Sequence, residues 1–383
     1  MHEQTQLSPC QLARDAPIKR DCPRPVDLRN ERFADQFDAE TIFYDVYRVG
    51  RDVVFQGPPL FNFKDPLREA DLFKGKFGWL FPKAHLVERN RANEIWLRTD
   101  QDRVNLTCGL GQFELEVQPN HAEIFAGKRV IHTLSKDNDV RWIEDWIRFY
   151  VAVHGADAVL FYDNGSSIYS AADLQRNLRK TFPALAIVVV SWPFKYGPQG
   201  GEAGAVGGRE APWDSDYCQT GSMQHARFRF LLSARSILNV DIDELVLSNR
   251  GRSIFEATEQ SREKYIRFPG TWISSTCPRP VTVTNCRHGD FTLRDAQESE
   301  ICPPKWCIVP ESRFNAKHHW SVHNVFGSKH NRMVSDEFVY RHMKGISNNW
   351  KYDRWDRGAF DPSRFNEDSD LRAAFAHARL LRP

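Results

Sequence analysis

The chain has 383 residues, of which 41% are hydrophobic and 27% charged, and its formal net charge is +2. That length holds two domains or one large one, with the composition of an ordinary soluble globular protein. A charge so close to zero excludes nucleic acid as the main partner, and the lack of any 18-residue apolar run excludes a membrane-spanning helix. Eleven Trp and 26 Phe suit either a large core or stacking surfaces for sugars, and composition does not separate the two.

The N-terminal stretch MHEQTQLSPCQLARDAPIKRD lacks an apolar h-region, so it does not read as a signal peptide, and residues 1–35 read as a loose tail. The eight cysteines show no paired C-x-x-C zinc spacing, and with no export signal they read as reduced thiols of a cytoplasmic protein. Cys302 and Cys307 flank PPKW, and in an oxidising compartment they are the pair to watch. Residues 36–127 show no helical period. TIFYDVYRV, DVVFQG, NEIWLRT and FELEVQ are aromatic and β-branched with partial alternation, and they predict a β-rich accessory domain.

The character changes from residue 128, where a second domain is expected to run to 360, followed by a tail or helix over 361–383. RVIHTLS reads as a short buried strand. A helix is predicted over 139–154, with Val140, Ile143, Trp146, Ile147, Tyr150, Val151 and His154 on one side, a cap at Asp137 or Asp139, and Gly155 as its stop. AVLFYD is a second strand, a helix follows near 171–180, and ALAIVVVSW is a third strand. Continuous apolar strands alternating with helices predict a parallel sheet covered on both faces. Ligands of such sheets bind beyond the carboxyl ends of the strands, and Asp163 lies at one.

Six glycines between 197 and 208 lack phosphate-loop spacing and read as a loop; a helix is expected over 219–236. It leads into ILNVDIDELVLS, an apolar strand that ends on Asp241, Asp243 and Glu244. In Asp-x-Asp on extended backbone both carboxylates point to one side, and they repel unless a cation lies between them. Mg²⁺ and Mn²⁺ are the cations that take such oxygens together with substrate phosphates. An isolated D-x-D is more often a solvated strand end; its place after three strand–helix repeats favours the metal.

The order of TLSKDNDVRWIEDWIRFYVAVHGADAVLFYDNGSS, VVVSWPF, CQTGSMQHARFR and ILNVDIDELV, followed by PPKWCIVPESRF, HHWSVHNVF and FVYRHMKGISNNW, resembles glycosyltransferase family 92 and its bacterial family 2-like relatives. The resemblance covers about 128–352. It implies a GT-A fold, a Rossmann-like mixed α/β sheet covered by helices, and a hexose moved from a UDP-sugar, UDP-galactose or similar, to a hydroxyl of a glycan or glycolipid in surface polysaccharide synthesis. It implies Mn²⁺ or Mg²⁺ held by Asp241, Asp243 and the late His342, with Glu244 structural. Asp163 would accept from the uracil or ribose, Thr133 would line the nucleotide, and Lys344 would lie near the diphosphate. Gln219, His225 and Arg227 would face the donor sugar, and Trp272 the acceptor, although a core tryptophan is the commoner case.

An inverting transfer needs a carboxylate to deprotonate the acceptor. The Glu-Asp base motif of inverting family 2 enzymes is not evident, and Asp290, Glu311 and Asp336 are the candidates. Two other readings stand beside the transferase: a sugar-nucleotide nucleotidyltransferase, which should carry a basic Gly-rich loop where SKDNDVRW stands, and an inactive sugar-binding protein on the same fold. The expected partners are the nucleotide sugar and a glycan or glycolipid, with peripheral association at the inner face of the membrane.

Overall fold

A computed structural model of the chain describes residues 4–74, 83–198, 216–310, 318–348, 354–355 and 360–381. The chain divides into one unit of Met1–Ala122, Trp192–Phe230 and His319–Ser321, and another of Glu123–Ser191, Leu231–His318 and Val322–Pro383.

The first unit is built on an antiparallel sheet of Asp45–Val49, Asp52–Gly57, Ala92–Arg98 and Ala84–Arg89, in that spatial order, with a hairpin of Arg103–Cys108 and Gly111–Glu116. Among the described residues of 36–127, strands dominate and the helical pieces are short, such as Lys64–Arg68. Residues 4–35, expected as a loose tail, are tied down instead. Cys10–Gln11 pairs with Thr41–Phe43, and the buried Arg20 guanidinium donates to the carbonyls of Pro59 (2.7 Å), Asp38 (2.6 Å) and Thr41. A polar stretch is ordered here because one buried cation supplies donors to three carbonyls. The helix expected over 219–236 runs from Tyr217 to Ala226, belongs to this unit, and is buried along its whole length.

The second unit carries an eight-stranded mixed sheet. Arg129–Ser135 (β1), Ala158–Asp163 (β2), Ala186–Ser191 (β3) and Ser236–Asn239 (β4) are parallel, in the order β3-β2-β1-β4. The remaining strands are Glu244–Ser248 (β5), Tyr265–Ile273 (β6), Cys302–Ile308 (β7) and Phe338–Met343 (β8). β7 lies antiparallel beside β4, β6 antiparallel beside β7, β8 parallel beside β6, and β5 antiparallel beside β8 at the outer edge. These directions bring the carboxyl ends of β1 to β4, β6 and β8, and the amino ends of β5 and β7, to one edge of the sheet. Cys302 and Cys307 stand on one strand, about 16 Å apart, which no disulfide spans, and all eight cysteines are free thiols.

Val140–His154 (α1) forms where its apolar period puts Trp142, Ile143, Trp146, Ile147 and Tyr150 on the buried face, while Val151 is exposed. Asp139 caps it by accepting from Arg141 N at 2.8 Å, and Gly155 stops it at φ 67°, a left-handed conformation that glycine adopts without strain. Ala171–Thr181 (α2), Ile254–Gln260 (α3) and Ser369–His377 (α4) complete the layers, and Leu371 and Phe375 of α4 enter the same core as α1.

His154, fully buried at the end of α1, is locked in one tautomer. Its Nδ1 accepts from Ile254 N at 3.2 Å, so Nε2 carries the proton and donates to Val246 O at 2.8 Å. Burial pushes its pKa down to about 4. The unfolded chain protonates near pH ~6.5, so it binds the proton first as pH falls. The stability due to neutral His154 is therefore complete above about pH 6.5 and is lost on the way to about pH 4. His154→Gln should flatten the acid limb of a stability-against-pH curve by about 3 kcal/mol, read from urea titrations between those values. An unchanged limb would refute the assignment.

Candidate active site

The edge acquires its acids through a turn. Between β4 and β5 the chain crosses as Val240-Asp241-Ile242-Asp243, and Glu244 closes the turn twice. Its backbone N–H donates to Asp241 O at 3.1 Å, and its Oε2 accepts from Asp241 N at 2.9 Å. Glu244 thus holds the turn's own backbone. Behind the turn stands a row of buried polar anchors. His288 Nε2 donates to Ile242 O at 2.8 Å, Tyr150 OH donates to Glu244 O at 2.8 Å and accepts from Val246 N at 3.2 Å, and His154 holds Val246 O. Arg287 Nε donates to Asp145 at 2.7 Å, tying the His288 segment to α1.

Charge on the turn is balanced within the chain. Lys305, in the middle of β7 and buried, places Nζ 2.6 Å from Asp241 Oδ2 and 3.1 Å from Glu244 Oε2. Burial pushes Glu244 up to about 7, reinforced by the charges of Asp241 and Asp243 and opposed by Lys305. Burial works against the charged form of Lys305, but the two acids outweigh it and keep the ammonium protonated. At Asp243, burial is outweighed by His342, Arg354 and Lys305, which hold the carboxyl well below the usual range.

His342 reaches the turn through strand register. It pairs across β8 with Glu244 on one side and Trp272 on the other, so all three side chains share a face. Its Nε2 lies 3.1 Å from Asp243 Oδ2, and Trp272 stacks on its ring at 4.0 Å between centroids and 13° between planes. Arg354 Nη1 takes the same Asp243 oxygen at 2.9 Å. Among the described residues no group of three or more His, Cys, Asp or Glu is assembled for a metal. The edge offers a carboxylate–imidazole pair. Two neighbouring ligands of one octahedral ion stand about 3 Å apart, which the pair matches. Such ions keep waters and substrate phosphates in their other positions, so the residues fit a divalent ion, with Arg354 competing for one of its oxygens.

The other expected residues divide. Asp163, the last residue of β2, is at the same edge; its carboxylate accepts from Ser166 N at 3.3 Å, and burial pushes its pKa up. Thr133 is buried in β1 with its hydroxyl unpartnered. Lys344 follows β8 and pairs with Glu298. Trp272 is only 7% exposed, and its ring packs on His342; the face expected to meet acceptor is used internally.

Gln219, His225 and Arg227 belong to the first unit, where local partners account for them. Tyr196 OH donates to Gln219 Oε1 at 2.7 Å, Arg227 lies over the rings of Phe228 and Trp320, and His225 Nε2 is 2.8 Å from the buried carboxylate of Asp45. Arg229, Ser8 N and Val46 N also donate to Asp45, a structural network.

Two base candidates must be corrected. Asp290 is buried, pairs with Arg279 and accepts from Arg287 N at 2.7 Å, which occupies the oxygens a base would need. Asp336 is exposed and precedes the amino end of β8, about 20 Å of extended chain from His342. Glu311 lies outside the described residues. Lys305, Arg354, His288 and Asp145 were not singled out from the sequence. The one signal for Lys305 was a lysine inside an otherwise apolar strand, a position lysine occupies only when paired.

The model of glycosyltransferase family 92 matches residues 133–371 of the chain. No curated protein matches it.

Lys305→Met should destabilise the second unit by about 3–5 kcal/mol, the usual cost of leaving buried charge uncompensated. Adding Glu244→Gln to that variant should recover part of the loss, because one of the two stranded acids is then neutral. Denaturant titration of the single and double variants checks both; a near-neutral Lys305→Met would show that the acids are solvated without it.

Proposed function

The chain belongs to glycosyltransferase family 92, and from that premise we propose that it moves a hexose, galactose or a close relative, from a UDP-sugar to a hydroxyl of a glycan or glycolipid in surface polysaccharide synthesis. The proposed scaffold is a GT-A fold formed by the mixed sheet of the second unit. The observation that carries the metal-dependent part is the approach of Asp243 Oδ2 and His342 Nε2 to 3.1 Å across 99 residues of sequence.

In this reading Asp243 and His342 hold Mn²⁺ or Mg²⁺, with Asp241 beside them. When bound, the ion supplies positive charge against that building on the leaving diphosphate. Lys305 keeps Asp241 oriented, and Lys344 adds a point charge on the diphosphate side. Asp163 and Thr133 receive the nucleoside at the ends of the parallel strands, where open α/β sheets bind such ligands. The bond from the sugar C1 to the diphosphate breaks with its electron pair going to the diphosphate. The acceptor oxygen bonds to C1 from the opposite face and gives its proton to a carboxylate, for which Glu311 is the remaining candidate of the three. The reading sets the reaction in the cytoplasm, with a lipid-linked acceptor met at the inner face of the membrane. Among the described residues no helix is long and apolar enough to cross a membrane.

UDP release from a panel of UDP-hexoses, followed with and without acceptor, tests this. Activity should vanish in EDTA and return with Mn²⁺. Asp243→Asn should lower kcat by about two orders of magnitude or more, and His342→Ala should raise the Mn²⁺ needed for half-maximal rate at least about tenfold. Full activity in EDTA, or a His342→Ala enzyme with unaltered Mn²⁺ dependence, would remove the metal from the reading.

A further inference from the structure

A side chain of the protein itself faces Asp243 and His342 where a cation would. Arg354 Nη1 lies 2.9 Å from Asp243 Oδ2 and 3.4 Å from His342 Nε2, and those two atoms are 3.1 Å apart. The three atoms form a nearly equilateral triangle, so one guanidinium nitrogen meets both atoms that would ligate Mn²⁺ or Mg²⁺. We propose that Arg354 is a stand-in cation, which neutralises Asp243 while no ion is bound, leaves it when the ion binds, and then takes the donor diphosphate. The inference rests on the metal-dependent transfer reading and adds to it a coupling between ion and nucleotide.

Three features carry it. The first is competition for one oxygen. An ion held at about 2 Å from Asp243 Oδ2 cannot share that oxygen with a guanidinium beside it, because like charges so close repel strongly. The second is access. The turn has two cations, and they differ. The Lys305 side chain is 1% exposed and is fixed between Asp241 and Glu244, whereas Arg354 is 17% exposed and meets Asp243 and His342 side chains that are 16% and 12% exposed. Lys305 is a permanent part of the turn, and Arg354 stands where solvent and ligand reach it. The third is chemistry. The planar fork of arginine recognises carboxylate and phosphate alike, so the same group can exchange Asp243 for the anionic oxygens that a UDP-sugar brings.

The surroundings allow the side chain to turn while its backbone stays. Trp355, the next residue, packs edge-to-face on Phe291 at 5.7 Å between centroids and joins the core of the second unit. The long stem of Arg354 extends from that anchor. Its guanidinium carbon lies 5.6 Å from the centre of the Trp272 ring, and Lys344 Nζ lies 5.4 Å from the same ring. Both distances fall within the reach of a cation–π attraction. The indole therefore gathers Arg354 and Lys344, the residue that the transfer reading already sets on the diphosphate side. A guanidinium released from Asp243 remains beside that lysine, where an arriving diphosphate meets two positive groups.

A stand-in cation opposes the ion and attracts the diphosphate, so its removal should move two affinities in opposite directions. In the full chain, Arg354→Met should bind Mn²⁺ without nucleotide at least about tenfold more tightly than wild type, read by electron paramagnetic resonance of the free ion. The same variant should bind UDP in EDTA at least about tenfold more weakly, read by calorimetry. Arg354→Lys, which keeps the charge, should bring both values back toward wild type, and Arg354→Gln replaces Arg354→Met if the latter does not fold. A purely structural arginine would weaken both ligands together; that result, or an unchanged Mn²⁺ affinity, would overturn the stand-in role. Unchanged UDP affinity in EDTA would overturn the transfer to the diphosphate. If Mn²⁺ restores turnover after EDTA while Arg354→Met shows no tightening, the inference fails alone. If neither wild type nor variant binds Mn²⁺, the metal-dependent reading fails with it.

Discussion

The buried ammonium of Lys305 is the interaction on which the edge of the second unit depends. Asp241 and Glu244 both approach it, and the Glu244 side chain also closes the turn that presents Asp241 and Asp243. Carboxylates brought this close repel, and burial raises the cost of each charge. One cation from β7 offsets both terms, so the turn can form without a bound ion.

The helix α1 does more than cover the sheet. Apolar residues fill its buried face, yet Tyr150 and His154 on the same face bond to the backbone of β5, and Asp145 ties down the segment carrying His288. The Tyr150 and His154 bonds hold backbone atoms within a few residues of the Asp-x-Asp turn, and the Asp145 bond holds the side chain of Arg287 next to His288. A purely apolar helix would bury similar area but would leave the turn free to shift. Hydrogen-bonded buried polar groups fix one geometry at the expense of alternatives. The same logic explains Trp272, whose stacking sets the plane of His342 and so the direction of the nitrogen that faces Asp243.

The first unit uses buried charge differently. Asp45 gathers two backbone donors, His225 and Arg229. Burial alone would raise its pKa, but the cation and the imidazole outweigh it and keep the carboxylate ionised. With its charge met, this network ties the helix after Trp192 to the β-rich sheet of that unit. His225, in the helix before a candidate ligand strand, looks like a ligand contact in one dimension; here its imidazole is bonded to Asp45.

Local chemistry alone determined much of this protein. Apolar runs such as AVLFYD, the cap at Asp139 and the stop at Gly155 located the parallel strands and α1, because their signals lie within a few residues of each other. The alternation of strands and helices placed Asp163, Asp241 and Asp243 at strand ends, and the order of blocks identified the family. What only the tertiary structure decided concerns partners far apart in the chain. Lys305 meets Asp241 and Glu244, Arg354 meets Asp243, and Asp290 is spent on Arg279 and on its own turn. Asp336 falls at the wrong end of its strand, since a strand carries one end of its sequence to the ligand edge and the other end away from it. Ion pairing and register depend on which strands become neighbours, and that follows from packing the whole unit.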